Sequence, residues 1–137
     1  MALIRALSGS SGGGGLTPTT LWSNNSPTSN FPASGNTITV TLSDDIDNYE
    51  YIKIKARRGT SDATEYAVIY SVEDFKKLNN ATGASAGALA YNYNSSNSVR
   101  IFYYTSNTSV TFELNKAVNA TGTARTGAIP LEIIGLK

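Results

Sequence analysis

Two alternating stretches in the first half of the chain constrain its fold more than any other feature. Residues 37–42 alternate Ile, Val and Leu with Thr, and residues 49–57 alternate Ile and Ala with Tyr, Lys and Arg. A period of two places one face of a strand on a core and the other face in water. Residues 44–48, with sequence DDIDN, are rich in turn formers. This arrangement predicts two strands joined as a hairpin.

The rest of the chain predicts more strands and very little helix. Strand-like composition recurs, with short polar turns, in residues 64–72, 88–93, 99–104, 109–114 and 128–135. The helical candidate is residues 73–78, with Ser71 as a possible cap. Pro130 cannot donate a ladder hydrogen bond, so the last strand should lie at an edge or carry a bulge. We therefore predict an all-β fold, an antiparallel jelly-roll-like β-sandwich of about eight strands with an extended N-terminal arm.

The N-terminal segment differs from the rest in composition. Residues 8–15 read SGSSGGGG and have no side chain to bury, as expected of a flexible tether. Leu3, Ile4 and Leu7 precede the tether and form an apolar hook that could enter a groove on another chain. We therefore divide the chain into an anchoring arm, residues 1–19, and a β-sandwich domain, residues 20–137.

Composition argues against several classes of function. The 137 residues carry a formal net charge of +1, which gives no long-range field to attract nucleic acid or an anionic membrane. Cys and His are absent, which excludes disulfides and thiolate metal sites and removes the usual general base. Residues 1–7 are too short for the apolar part of a signal peptide. We expect a protein made in a cytoplasm that catalyses nothing and carries no cofactor.

The carboxylates are candidates for metal ligands and for catalytic acids. Asp44, Asp45 and Asp47 could bind Ca²⁺, but their spacing lacks the glycine and the distal glutamate of a calcium loop, so an Asx-rich turn is favoured. The remaining acidic residues fit turns or the exposed phase of strands, which argues against a glycosidase pair. We expect no metal site.

Two segments carry a recognisable pattern. Residues 21–54 contain LWSN, then SPTSNF, a TITV strand, an acidic turn and a Tyr-x-Tyr-Ile strand, and residues 129–137 read IPLEIIGLK. This pattern resembles a family of small virion proteins of tailed bacteriophages that infect Gram-positive gut and dairy bacteria. In that family it lies in tail-fibre or head-fibre tips and in short free-standing virion proteins. The resemblance implies a capsid decoration, head-fibre or tail-tip subunit, made without a signal peptide, that forms a homotrimer and contacts other virion proteins.

Several residues are candidates for binding or assembly. Trp22 is favoured as a core or subunit-interface residue over a ligand platform. Tyrosines on neighbouring strands could stack on sugar rings or pack in an interface, although half or more should belong to the core and its rim: Tyr49, Tyr51, Tyr91, Tyr93, Tyr103 and Tyr104. Lys53, Lys55 and Arg57 form a basic stripe that is either a solvated face or a contact for acidic groups. The alternative function is therefore a receptor- or carbohydrate-binding adhesion module.

Overall fold

The computed structural model describes residues 15–80, 85–93, 96–118 and 125–137. Leu3, Ile4 and Leu7 of the predicted arm lie outside these ranges, as do the side chains of Tyr91 and Tyr93. The described residues form eight strands and one α-helix: β1 (Pro18–Ser23), β2 (Thr37–Thr41), β3 (Tyr51–Gly59), β4 (Glu65–Ser71), α1 (Val72–Lys76), β5 (Gly87–Tyr93), β6 (Ser96–Ser106), β7 (Ser109–Val118) and β8 (Gly127–Leu136).

The strands form two four-stranded antiparallel sheets. The first sheet has the order β1-β8-β3-β4 and the second has the order β2-β7-β6-β5. Apolar side chains from both sheets form one buried core between them. The predicted all-β sandwich is confirmed. The strand neighbours β1-β8-β3 and β2-β7 are those of a jelly roll. The sheets depart from a jelly roll at the next position, because β4 pairs with β3 and β6 pairs with β7, so each lies beside its neighbour in sequence.

The hairpin predicted between residues 37–42 and 49–57 is wrong, because β2 and β3 belong to different sheets. The connecting residues form a 3-10 helix, Ile46–Asn48, capped by the Asp45 carboxylate, which accepts from the Asp47 N–H. Ile46 is fully buried. Alternation shows that a strand has one buried face, but it does not show which sheet the strand joins.

Strand β1 shows no alternation and was not predicted. Its register against β8 shifts between Thr20 and Trp22, and this bulge accompanies the burial of Leu21 beside the inward-facing Trp22. Thr17 exchanges two backbone hydrogen bonds with Lys137, so pairing with β8 begins within the segment assigned to the arm. β8 is a central strand, so of the two alternatives predicted from Pro130, an edge position or a bulge, the structure shows the bulge. Lys55 of β3 pairs with Glu132, and the next residue of β3 pairs with Pro130, so one residue of β8 is skipped.

The helical prediction is confirmed. Ser71 is the N-cap of α1, and its side-chain oxygen accepts a hydrogen bond from the Asp74 N–H. Phe75 is fully buried under this helix. Its ring stacks on Phe102 of β6 and also contacts Tyr70 of β4. A helix of five residues is stable here because it packs on both sheets.

The two patterned segments meet in the first sheet, where β8 lies between β1 and β3. A Cβ atom added to Gly135 would lie 2.5 Å from Cδ1 of Tyr49, so the glycine leaves room for the tyrosine ring. The Tyr49 hydroxyl donates to Asp44 at 2.9 Å. This bond contributes most to lowering the pKa of Asp44, while burial raises the pKa of Tyr49. Residues from the acidic turn, the Tyr-x-Tyr motif and the chain's last strand therefore form one unit.

Candidate functional site

A groove of about 460 Å³ lies between edge strands β1 and β2 and the loop that joins them, residues 24–36. The volume is within the range of small-ligand sites. The groove is lined by Trp22, Ser23, Asn24, Asn25, Ser26, Ser29, Asn30, Phe31, Ala33, Ile38 and Val40. We call it the edge groove.

Trp22 and Phe31 contribute aromatic rings to the apolar wall of the edge groove, and Phe112 lies behind them in the core. Trp22, Phe31 and Phe112 are mutually in contact, with ring centroids 5.6 to 6.0 Å apart. Phe112 is fully buried and Phe31 is 6% exposed, whereas Trp22 is only partly buried. Trp22 therefore packs on the core with one side and lines the groove with the other.

Amides and hydroxyls form the polar wall. The Asn24 side chain is fixed at both ends, because its Nδ2 donates to the Pro130 carbonyl and its Oδ1 accepts from the Ser26 N–H, both at 2.9 Å. The side chains of Asn25, Ser29 and Asn30 are exposed. In the part of the chain that the structure describes, these three side chains make no hydrogen bond, so their donors and acceptors face solvent.

Arg100 supports the groove from inside the sandwich. Its guanidinium is fully buried and donates to the carbonyls of Glu113, Gly127 and Ala128 at 2.6 to 2.8 Å. Cζ lies 5.3 Å from the centroid of the Phe31 ring. Burial lowers the pKa of Arg100 to about 10, so it remains protonated at neutral pH. The guanidinium holds Phe31 in place by lying over the face of its ring. It also holds the start of β8 through its hydrogen bonds to the carbonyls of Gly127 and Ala128.

The predicted tyrosines with described side chains do not form one surface. Tyr49 is buried in the core, and Tyr51, which is 8% exposed, lies on the opposite face of the first sheet. Tyr104 packs on Phe75 in the core, and its hydroxyl donates to Asn107. Tyr103, the next residue to Tyr104 along β6, is partly buried on the opposite face of the second sheet.

The basic stripe is mostly engaged within the first sheet. Lys55 forms ion pairs with Glu65 at 3.2 Å and Glu132 at 3.8 Å. Arg57 donates to the carbonyls of its own turn, Gly59 and Thr60. Lys53 lies on the same outer face, partly buried. These bonds favour the interpretation of the stripe as a solvated structural face.

The acidic turn is held by hydrogen bonds within the fold. Besides the bonds of Asp44 and Asp45 given above, Asp47 pairs with Lys76 of α1 and accepts from the Asn107 amide. The Lys76 bond holds the pKa of Asp47 below its usual range. Among the described residues, no group of three or more acidic side chains is arranged to hold a metal ion.

Sequence reasoning missed the polar wall of the edge groove and the role of Arg100. The Asn and Ser residues of the 24–36 loop resemble those of any surface loop, so they do not stand out in the sequence. The available signal was the position of a polar, Asn-rich loop directly after the chain's single Trp.

Comparison with protein-family models and with curated proteins gives no match for this chain. In the described ranges, no helix has the length and apolar character needed to cross a membrane.

Proposed function

We propose that this protein is a structural subunit of a bacteriophage particle, a small appendage of the capsid or tail that is anchored by its N-terminal arm and projects its β-sandwich. The proposal includes self-association as a homotrimer, since closed rotational symmetry would let identical arms share one anchoring site. Leu3, Ile4 and Leu7 would make the anchoring contacts.

The proposal depends on one observation, which is that the two segments with the virion-protein pattern lie side by side in the structure. Residues 21–54 and 129–137 are separated by the whole middle of the chain. Their strands β1, β3 and β8 are nevertheless hydrogen-bonded neighbours, and Tyr49 of one segment rests on Gly135 of the other. The patterned residues of the first sheet thus form one structural unit, which supports a common fold with that class of protein.

The position of the tether also supports this proposal. The chain joins the first sheet at Thr17, beside its own C-terminal Lys137, so the arm departs from one end of the sandwich. An eight-residue tether spans up to about 29 Å when extended, which allows the hook to contact another protein while the sandwich remains outside.

Deletion of residues 1–15 tests the proposal, because those residues precede the first pairing at Thr17. The truncated sandwich should melt like the full-length protein but fail to attach to particles that lack it. Light scattering of the full-length protein should report a trimer.

A substitution variant controls for the length of the arm. Leu3→Ser, Ile4→Ser and Leu7→Ser together should abolish attachment, whereas Ser8→Ala, Ser10→Ala and Ser11→Ala together should not. Attachment by the truncated protein would place the anchor on the sandwich, and a lowered melting temperature would make the arm part of the folded domain.

A further inference from the structure

We propose that the edge groove binds a neutral saccharide, with a sugar ring stacked on Trp22 and sugar hydroxyls bonded to the side chains of Asn25, Ser29 and Asn30. This function goes beyond a structural role in the particle. It uses a different surface from the arm, so the two proposals succeed or fail separately.

The lining selects an uncharged ligand. None of the side chains that line the edge groove is acidic or basic, and all of them lie in described parts of the chain. An ionic ligand would lose part of its hydration without gaining a countercharge. A neutral polyhydroxylated molecule loses only hydrogen bonds to water, which amides and hydroxyls on the groove wall can replace.

The two walls match the two kinds of surface on a sugar ring. A pyranose presents C–H groups on one face and hydroxyls around its edge. The C–H groups carry partial positive charge and are attracted to the negative face of an indole ring. Trp22 is partly exposed on the apolar wall, whereas Asn25 and Asn30 lie on the polar wall of the same groove.

The groove is formed before a ligand arrives. Asn24 is fixed by its bonds to Pro130 and Ser26, and Phe31 is held between the Arg100 guanidinium and the Phe112 ring. Binding therefore requires little ordering beyond a few exposed side chains, which reduces its entropic cost.

An apolar peptide or a second copy of this chain fits the groove less well. An apolar occupant would cover Asn25, Ser29 and Asn30 without supplying partners for their amide and hydroxyl groups. A buried polar group without a partner is costly, which opposes that arrangement.

Trp22 is the only tryptophan of the chain, so its emission reports on the groove directly. The full-length protein is titrated with neutral oligosaccharides of glucose, galactose, mannose and N-acetylglucosamine, and with polygalacturonate as the acidic probe. Binding is followed by Trp22 emission and by calorimetry. We expect saturable binding of at least one neutral saccharide and none of the acidic one. Asn25→Ala combined with Asn30→Ala should weaken binding about tenfold, since two hydrogen bonds are lost.

The matched control is Ser61→Ala combined with Asn79→Ala, two exposed positions outside the groove, which should bind like the parent protein. Binding should also persist after deletion of residues 1–15, whatever happens to particle attachment. The proposal is overturned if no neutral saccharide binds at millimolar concentration, if only the acidic probe binds, or if the Asn25→Ala and Asn30→Ala variant binds like the parent. A Trp22 emission that depends on protein concentration but not on saccharide would assign the groove to a second copy instead.

Discussion

Two segments carry the chain from the first sheet to the second, and each places one phenylalanine in the core. The 24–36 loop follows β1 and contributes Phe31, and the segment that begins with α1 follows β4 and contributes Phe75. Phe75 is fully buried, whereas Phe31 is 6% exposed and lines the edge groove. Over the residues that the structure describes, the crossing at Phe75 is sealed and the crossing at Phe31 leaves an opening.

The content of each segment explains the difference. Val72 and Leu78 flank Phe75 and also pack on the core. Backbone bonds from Val72 to Glu50 and from Tyr104 to Leu78 link the segment to the residue before β3 and to β6. The loop has Phe31 as its buried aromatic, while most of its remaining residues are polar. In the described residues, a short amphipathic helix thus covers the core at one crossing, whereas a polar loop leaves the edge groove open at the other.

The largest expected effect is at the sealed crossing. Phe75→Ala should lower the free energy of unfolding by about 3 to 5 kcal/mol, because a closed site leaves a cavity. Phe31→Ala should cost about 2 to 3 kcal/mol, because water can enter the space from the groove. Urea unfolding of both variants measures the difference. Equal losses would mean that the two crossings are equally closed.

Arg100 provides the next test, since it supports the open crossing from within. Arg100→Lys should lower the free energy of unfolding by about 2 to 4 kcal/mol, because one ammonium cannot bond three carbonyls in the geometry of a guanidinium. Urea unfolding measures this loss. Arg125→Lys, which affects a bond to the Gly35 carbonyl at 2.8 Å, is the control and should cost about 1 kcal/mol or less. An Arg100→Lys variant that is as stable as the parent protein would show that Arg100 does not stabilise the open crossing.

The smallest effect is the pH dependence that the pair of Asp47 and Lys76 contributes at the sealed crossing. The bond from Lys76 holds the pKa of Asp47 below its ordinary value of 3.8, so the ionised form is favoured by folding. That stabilisation is present above about pH 3.8 and is lost as the pH falls through the folded-state pKa. The parent should be more stable than Asp47→Asn at neutral pH, and urea midpoints should converge in acid. A difference that persists in acid would exclude this pair as its cause.

The strands and the helix cap were predictable from sequence because their signals are local. Alternation identified β2 and β3, and the position of Ser71 before an acidic turn of helix identified α1. The sheet that each strand joins is decided by distant contacts, as the wrong hairpin between β2 and β3 illustrates. Strand β1 was missed because a bulge removes its alternation.

The candidate site was less predictable for the same reason. Arg100 occupies a core position that alternation would assign to an apolar residue, and its carbonyl partners come from β7 and β8. The exposed Asn residues become one wall only when the 24–36 loop lies beside Trp22 and β2. The pattern in residues 21–54 includes residues of both kinds, since Tyr49 packs in the core whereas Trp22 and Asn30 line the edge groove. The pattern alone therefore does not separate the residues that pack from those that line the groove.

Acrylamide quenching of Trp22 emission tests most directly the central claim that the crossing at Phe31 is open. In the folded full-length protein at low concentration, we predict quenching that is clearly measurable but weaker than in the urea-unfolded protein, because one side of Trp22 packs on Phe31 and Phe112 and the other lines the edge groove. A folded protein whose Trp22 emission resists acrylamide completely would show that this crossing is closed as well, and would contradict the account.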